Sequence, residues 1–174
     1  MKKKGTLYLV QTAAIGALYV VLTLVFHPFS YGEIQVRISE ALTILPYFTP
    51  AAIPGLFVGC IFANFLGGSI AVDIVFGSIA TLLGAIGTYA LRKYRFLAPV
   101  PPILSNTLIV PFVLRYGYSV SLPIWLLMAF LFIGEFISCG ILGTILLNAL
   151  SKYARFLFSG NDIVNGSIMP KKIE

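Results

Sequence analysis

The chain has 174 residues, of which 59% are hydrophobic and only 10% charged, with a mean hydropathy of +0.96. An ordinary soluble domain is about 45–50% apolar and about 25% charged, so this composition excludes both a disordered chain and a soluble enzyme fold. The 12 Lys and Arg against 6 Asp and Glu give a basic excess, but with so few charges it points to membrane orientation rather than to nucleic acid. Cys60 and Cys139 each sit inside an apolar run without C-x-x-C spacing or a His partner, so neither a disulfide scaffold nor a zinc site is supported.

A helix needs about 20 apolar residues to cross the hydrocarbon core, and residues 6–26 form the first such run. It follows Lys2, Lys3 and Lys4; it is too long for the apolar core of a signal peptide and no small-x-small site follows, so a retained helix is expected. The next apolar stretch, Ile34 to Leu66, is interrupted by Pro46, Pro50 and Pro54. Prolines at four-residue intervals cannot continue one straight helix, which predicts two short helices over 34–48 and 50–67. Thr49 before Pro50 reads as a cap ahead of a first-turn proline. Further spans are predicted over 69–91, 96–114 and 121–150. The expected fold is a single all-α membrane domain of six transmembrane helices, with residues 151–174 as a polar cytoplasmic tail. The Asn165-Gly-Ser167 sequon falls on that tail, where glycosylation is not expected.

Cytoplasmic loops collect Lys and Arg. Six spans with an inside N-terminus place Lys2, Lys3, Lys4, Arg92, Lys93, Arg95, Lys152, Arg155, Lys171 and Lys172 on the inner side, and leave Arg37 and Arg115 near the outer one. Both termini are then cytoplasmic, in a multi-pass protein of the cell membrane. A re-entrant hairpin over 34–67 would preserve the same orientation. The triple-proline hairpin has no counterpart in the second half, which argues against an inverted-repeat transporter.

Small residues recur every four positions in two helices. Gly55, Gly59, Ala63 and Gly67 form a narrow stripe on the third; in the first, Ala13 and Ala17 share the spacing, as do Thr12 and Gly16. Such stripes let helix backbones approach closely. Internal packing is the plain reading for the third helix, whereas the first leaves packing and partner docking both open.

Polar groups carry the sharper signal, because a charge at the bilayer centre costs at least about 2.5–3.5 kcal/mol on insertion scales. Glu33, Arg37 and Glu40 stand at i, i+4 and i+7, and share one face if the second helix begins before Glu33; Glu33 and Arg37 also have the favourable orientation for an ion pair. Asn64 and Asp73 fall near the outer ends of helices three and four, Asn106 midway along helix five, and Arg115 at its outer end. Glu135 is deepest, about 14 residues or roughly 21 Å into helix six at 1.5 Å per residue. Glu33, Arg37 and Asp73 can also be read as interfacial charges. A carboxyl as deep as Glu40 or Glu135 must be protonated, paired with Arg37 or another donor, or turned to a wet cavity. Together they suggest a polar pocket opening outward. Phe29, Tyr31, Tyr47, Tyr116, Tyr118 and Trp125 cluster near span boundaries as an aromatic belt would, though a planar ligand could stack on some of them. His27 lacks any partner at metal-ligand spacing and reads as interfacial. No phosphate-binding G-x-x-x-x-G-K-[ST], H-E-x-x-H or G-x-S-x-G occurs, so energy for uphill movement would come from elsewhere.

The run Val36-Arg-Ile-Ser-Glu40-Ala-Leu-Thr-Ile-Leu-Pro46-Tyr-Phe-Thr-Pro50-Ala-Ala-Ile-Pro54-Gly-Leu-Phe-Val-Gly59-Cys60, continuing through Asn64, Gly67, Gly68 and Asp73-Ile-Val-Phe-Gly77-Ser, resembles the QueT family, substrate-binding S components of energy-coupling factor (ECF) transporters assigned to queuosine precursors. The resemblance implies a six-helix protein that captures its solute from outside and docks on a transmembrane coupling protein and two ATPases; separately, no cofactor or metal is expected. It also implies that helix one packs on the coupling protein through an Ala-x-x-x-Ala motif, which Ala13 and Ala17 match. A 7-deazaguanine ring offers a ring N–H beside an exocyclic amine, a carbonyl and, in one precursor, a cationic aminomethyl arm. Carboxylates can match the two donors or the arm, and an amide can answer the carbonyl. The expected substrate-binding set is accordingly Glu33, Arg37, Glu40, Asn64, Asp73, Asn106 and Glu135. Two alternatives stay open: an S component for another vitamin-like solute such as riboflavin or folate, and an intramembrane enzyme using Glu40 and Glu135 as acid and base, for which no nucleophile or metal set is present.

Overall fold

The computed structural model describes residues 2–30 and 36–157. Among them every regular element is helical: α1 (Lys2–Val25), a single turn α2 (His27–Ser30), a 3-10 helix (Ile38–Tyr47), α3 (Ala52–Leu66), α4 (Ala71–Ala90), a 3-10 turn (Arg95–Leu97), α5 (Val100–Phe112) ending in a π-helical turn (Val113–Gly117), α6 (Ile124–Glu135), a π-helical segment (Phe136–Leu142) and α7 (Gly143–Leu157). Glu33, Tyr31 and the 158–174 tail with its sequon lie outside the described residues.

Among the described residues, four helical stretches are long and apolar enough to cross a membrane: Gly5–Val25, Ala71–Ala90, Arg95–Gly117 and Ile124–Ala154. Their exposed residues are those of a body bathed in lipid rather than water, with Leu9, Val21, Val25, Val75, Leu108 and Ile145 all more than half exposed. This is a multi-pass, all-helical membrane protein.

The stretch expected to give a second α-helical span over 34–48 folds otherwise. Arg37 is extended, and the chain then winds into ten residues of 3-10 helix from Ile38 to Tyr47. At about 2.0 Å per residue this spans roughly 20 Å, short of the roughly 30 Å hydrocarbon core. Ser39 through Tyr47 are all buried, against α1, α4, α7 and the π segment of helix six. The segment is thus core rather than lipid-facing wall. Two side chains accompany this winding: Pro46 lacks the N–H that an α-helix would use, and the Thr43 hydroxyl donates to the Glu40 carbonyl at 2.6 Å. Tyr47, expected in an aromatic belt, is 5% exposed for the same reason. Thr49 does act near the next helix start, its Oγ1 accepting from the Ala51 N–H at 3.3 Å, and α3 begins at Ala52.

The small-residue stripes find separate uses. α1 packs chiefly on α3, and the approach is so close that a Cβ on Gly55 would lie 2.7 Å from the Thr12 carbonyl oxygen and one on Gly59 2.9 Å from that of Gly16. Backbone meets backbone, as in other small-residue crossings within membranes. The 12/16 face of α1 therefore points inward, while Ala13 and Ala17, one residue on, are exposed. Other contacts, α3 with α4, α4 with α5 and α5 with α6, continue the bundle in chain order. Two buried apolar clusters support it. The larger joins Tyr19, Ile44, Phe48, Leu56 and Leu147, and the smaller joins Ala80, Val110, Leu127 and Leu131.

Candidate functional site

The polar residues that composition made conspicuous gather inside this bundle. Arg37, Glu40, Asn64, Asp73, Asn106 and Glu135 are each at most 7% exposed, and one continuous network of contacts joins them. Arg37 donates through Nη2 to Asn64 Oδ1 at 2.9 Å. The Asn64 amide nitrogen lies 3.6 Å from Cys60 Sγ and 3.5 Å from the Asp73 carbonyl oxygen. The Thr81 hydroxyl sits 3.4 Å from the Cys60 sulfur and 3.3 Å from Glu40 Oε1. That same carboxylate oxygen accepts the Tyr19 hydroxyl. From the 3-10 helix the network crosses to helix six, where Cys139 Sγ is 3.4 Å from the Glu40 carbonyl oxygen and 3.2 Å from Glu135 Oε2. Asn106 Nδ2 closes it on Glu135 Oε1 at 2.9 Å.

Two deep carboxyls thus face one another from different elements. A Glu40 oxygen, a Glu135 oxygen and Cys139 Sγ all lie within 4.8 Å of one another. The second Glu40 oxygen, Oε2, is buried without a hydrogen-bond partner, as are Ser78 Oγ and Ser138 Oγ. A buried acceptor left open costs about 1–3 kcal/mol, and this one has room in its bonding for a further donor. Its construction is local: the π-helical winding after Glu135 adds a residue to the turn, a device found frequently at functional positions, and Glu135 and Cys139 meet across it.

Asp73 occupies the edge of the network. Its Oδ2 accepts the Tyr118 hydroxyl at 3.0 Å, and the same phenol oxygen accepts the Ile70 N–H at 3.3 Å. Burial raises the Tyr118 phenol above its ordinary range, so it remains a neutral donor. Arg115 holds the neighbouring loop through Nη1, which is 2.8 Å from the Val120 carbonyl and 3.5 Å from that of Leu122. His27, expected at the interface, is exposed with Nε2 3.3 Å from the Gly67 carbonyl.

The sequence-expected residues are therefore brought together, Glu33 excepted as outside the described residues. The network also includes residues that the sequence alone did not single out for it: Tyr19, Thr43, Cys60, Thr81, Tyr118 and Cys139. Tyr19 is one inward turn beyond Gly16 and could have been found as the polar end of that face. The cysteines offered no such signal, because a thiol is also an ordinary small core residue. Both are free and buried.

A separate groove of about 490 Å³ opens between α4 and α5, lined by Val72, Phe76, Leu108, Phe112 and Tyr116 among others. It shares no residue with the polar network.

Compared with known proteins, residues 9–152 match the family described as QueT transporter. The chain belongs to the QueT transporter family. That is a family of transporters rather than enzymes. A relative from Lactococcus lactis subsp. cremoris (strain MG1363), named queuosine precursor transporter QueT, is 39% identical over 85 residues, which cover 48% of this chain and 50% of that protein. The chain thus spans about half the length of the curated relative it matches. No solved structure matches the chain. The family match encloses Arg37, Glu40, Asn64, Asp73, Asn106 and Glu135 together with Ala13 and Ala17.

Proposed function

We propose that this protein is the substrate-capturing S component of an ECF-type importer, taking a queuosine precursor of the 7-deazaguanine class from outside the cell membrane for ATP-driven uptake. The observation that carries the proposal is the buried network itself: carboxyls and amides packed into the interior of a lipid-bathed bundle, in a chain of a transporter family. Glu40, Asp73 and Glu135 supply acceptors for the ring N–H and exocyclic amine, Asn64 and Asn106 supply amides for the carbonyl, and Arg37 orients Asn64. Glu33 belongs to the same proposed set.

The proposed topology has six helical limbs with both termini inside; the 3-10 segment and α3, each too short for a full crossing, form a descending and a returning limb that preserve the orientation of the later spans. Since α1 turns Thr12 and Gly16 inward and leaves Ala13 and Ala17 exposed, the latter pair is the surface proposed to dock on the transmembrane coupling protein, which carries the two ATPases. The solute site and the docking face then lie on opposite sides of α1.

Binding of labelled precursor to the purified protein tests the substrate; if no 7-deazaguanine binds, while riboflavin or folate does, the machine stands and the solute is wrong. Ala13→Leu combined with Ala17→Leu is expected to abolish uptake in cells while leaving binding to the purified protein nearly unchanged. Loss of both would mean that this face packs internally.

A further inference from the structure

We propose that the groove between α4 and α5 is a site for one phospholipid molecule, with an acyl chain lying along the groove and the headgroup phosphate on Arg115. The groove shares no residue with the polar network, so this site is independent of the proposed capture of a solute.

The walls fit a hydrocarbon chain. On α5 they run from Leu108 through Phe112 to Gly117, and on α4 they are Val72 and Phe76; together they enclose about 490 Å³. Nine residues separate Leu108 from Gly117, a rise of roughly 13 Å at 1.5 Å per residue, close to the about 15 Å that half of the hydrocarbon core spans. Leu108 is 57% exposed and Phe76 49%, so a chain enters sideways from the surrounding lipid. A hollow between two helices surrounds such a chain on more sides than a flat helix face does, and dispersion contacts add up with each added neighbour.

The end of the groove supplies the partner for a headgroup. Tyr116 is 73% exposed and stacks on Phe112, ring centroids 6.4 Å apart and planes 13° from parallel, which sets a phenol where the hydrocarbon gives way to headgroups. Arg115 precedes it in the same π-helical turn. Its Nη1 donates to the Val120 carbonyl at 2.8 Å and lies 3.5 Å from that of Leu122. A guanidinium carries five N–H donors in a fixed fork. The two carbonyls hold the fork by one nitrogen, and the Nε–Nη2 edge is the one that takes two phosphate oxygens side by side. Asp73, the carboxylate next to Val72 in the chain, is 7% exposed, accepts the Tyr118 hydroxyl and does not line the groove, so it does not set a negative charge against the phosphate. In the proposed topology this end of α5 faces outward, and the lipid belongs to the outer leaflet.

The test titrates the purified full chain in detergent micelles with dioleoyl phosphatidylglycerol and with dioleoylglycerol, which has the same chains and no phosphate, and counts retained lipid by native mass spectrometry. One phosphatidylglycerol per chain is expected, held about tenfold more tightly than dioleoylglycerol, as hydrogen bonds to a charged group give. Leu108→Trp fills the groove and should cut phosphatidylglycerol retention about tenfold, with binding of labelled precursor unchanged. In Arg115→Gln the preference for the phosphate-bearing lipid should disappear. Equal retention of the two lipids by the unaltered chain overturns the proposal, as does undiminished retention in Leu108→Trp. Displacement of the lipid by precursor also overturns it, since the groove would then belong to the solute. The two-lipid comparison needs no variant and decides the matter even where a substitution prevents folding.

Discussion

The molecule separates volume from chemistry. Between α4 and α5 lies a groove of about 490 Å³ walled by Val72, Phe76, Leu108 and Phe112, side chains that are 44–57% exposed. The polar network, by contrast, is densely packed, its members joined by contacts of 2.9–3.6 Å. In a soluble protein the largest apolar pocket with convergent polar groups is the default binding site. In a membrane bundle the outer surface is itself apolar, so a groove there is lined by what lipid requires. Buried carboxyls and amides have no such excuse, and they are the better guide.

That contrast can be broken by mutation. The largest effect is expected from Glu40→Ala, which removes the open acceptor and strands Tyr19 and Thr81; binding of labelled precursor should fall about a hundredfold, in line with hydrogen bonds to a charged group. Glu135→Gln should follow at tenfold or more, read in the same titration. Tyr118→Phe deletes one hydrogen bond to Asp73 and should weaken binding only about two- to tenfold, since Asp73 lies at the network's edge. Phe76→Ala, in the groove, should leave binding within about twofold. If Phe76→Ala proved as damaging as Glu40→Ala, the groove and not the network would be the solute site.

A separate comparison sharpens the view of α1. Gly59→Leu would drive a side chain into the Gly16 backbone, where even a Cβ lies 2.9 Å from the carbonyl oxygen, and thermal denaturation should show a loss of about 1–3 kcal/mol or failure to fold, the usual range for overpacking. Ala17→Leu, on the opposite face, should leave the melting temperature nearly unchanged.

The candidate site was legible where chemistry conflicts with lipid. Glu40, Asn64, Asp73, Asn106 and Glu135 could be picked out because each is costly to bury, and the structure joins them with Arg37. Their partners were less legible. Cys60, Thr81 and Cys139 are ordinary residues of apolar helices, and only their neighbours make them part of a network. The 3-10 winding of residues 38–47 was not legible for a related reason. Prolines show where an α-helix breaks, but whether the chain then spans the bilayer or folds into the core depends on what surrounds it, here α1, α4, α7 and the π segment.

The sequence by itself determined an all-helical membrane protein, its long spans, and the short roster of polar residues that needed a reason to be there. Those follow from transfer energies, which are properties of single residues and of runs. Only the tertiary structure decided that Thr12 and Gly16 face α3 while Ala13 and Ala17 do not, that the 3-10 helix is buried, and that Glu40 meets Glu135 through Cys139 across almost a hundred residues of chain. Those depend on which helix faces which, and hydropathy, which is blind to pairing, carries no record of it.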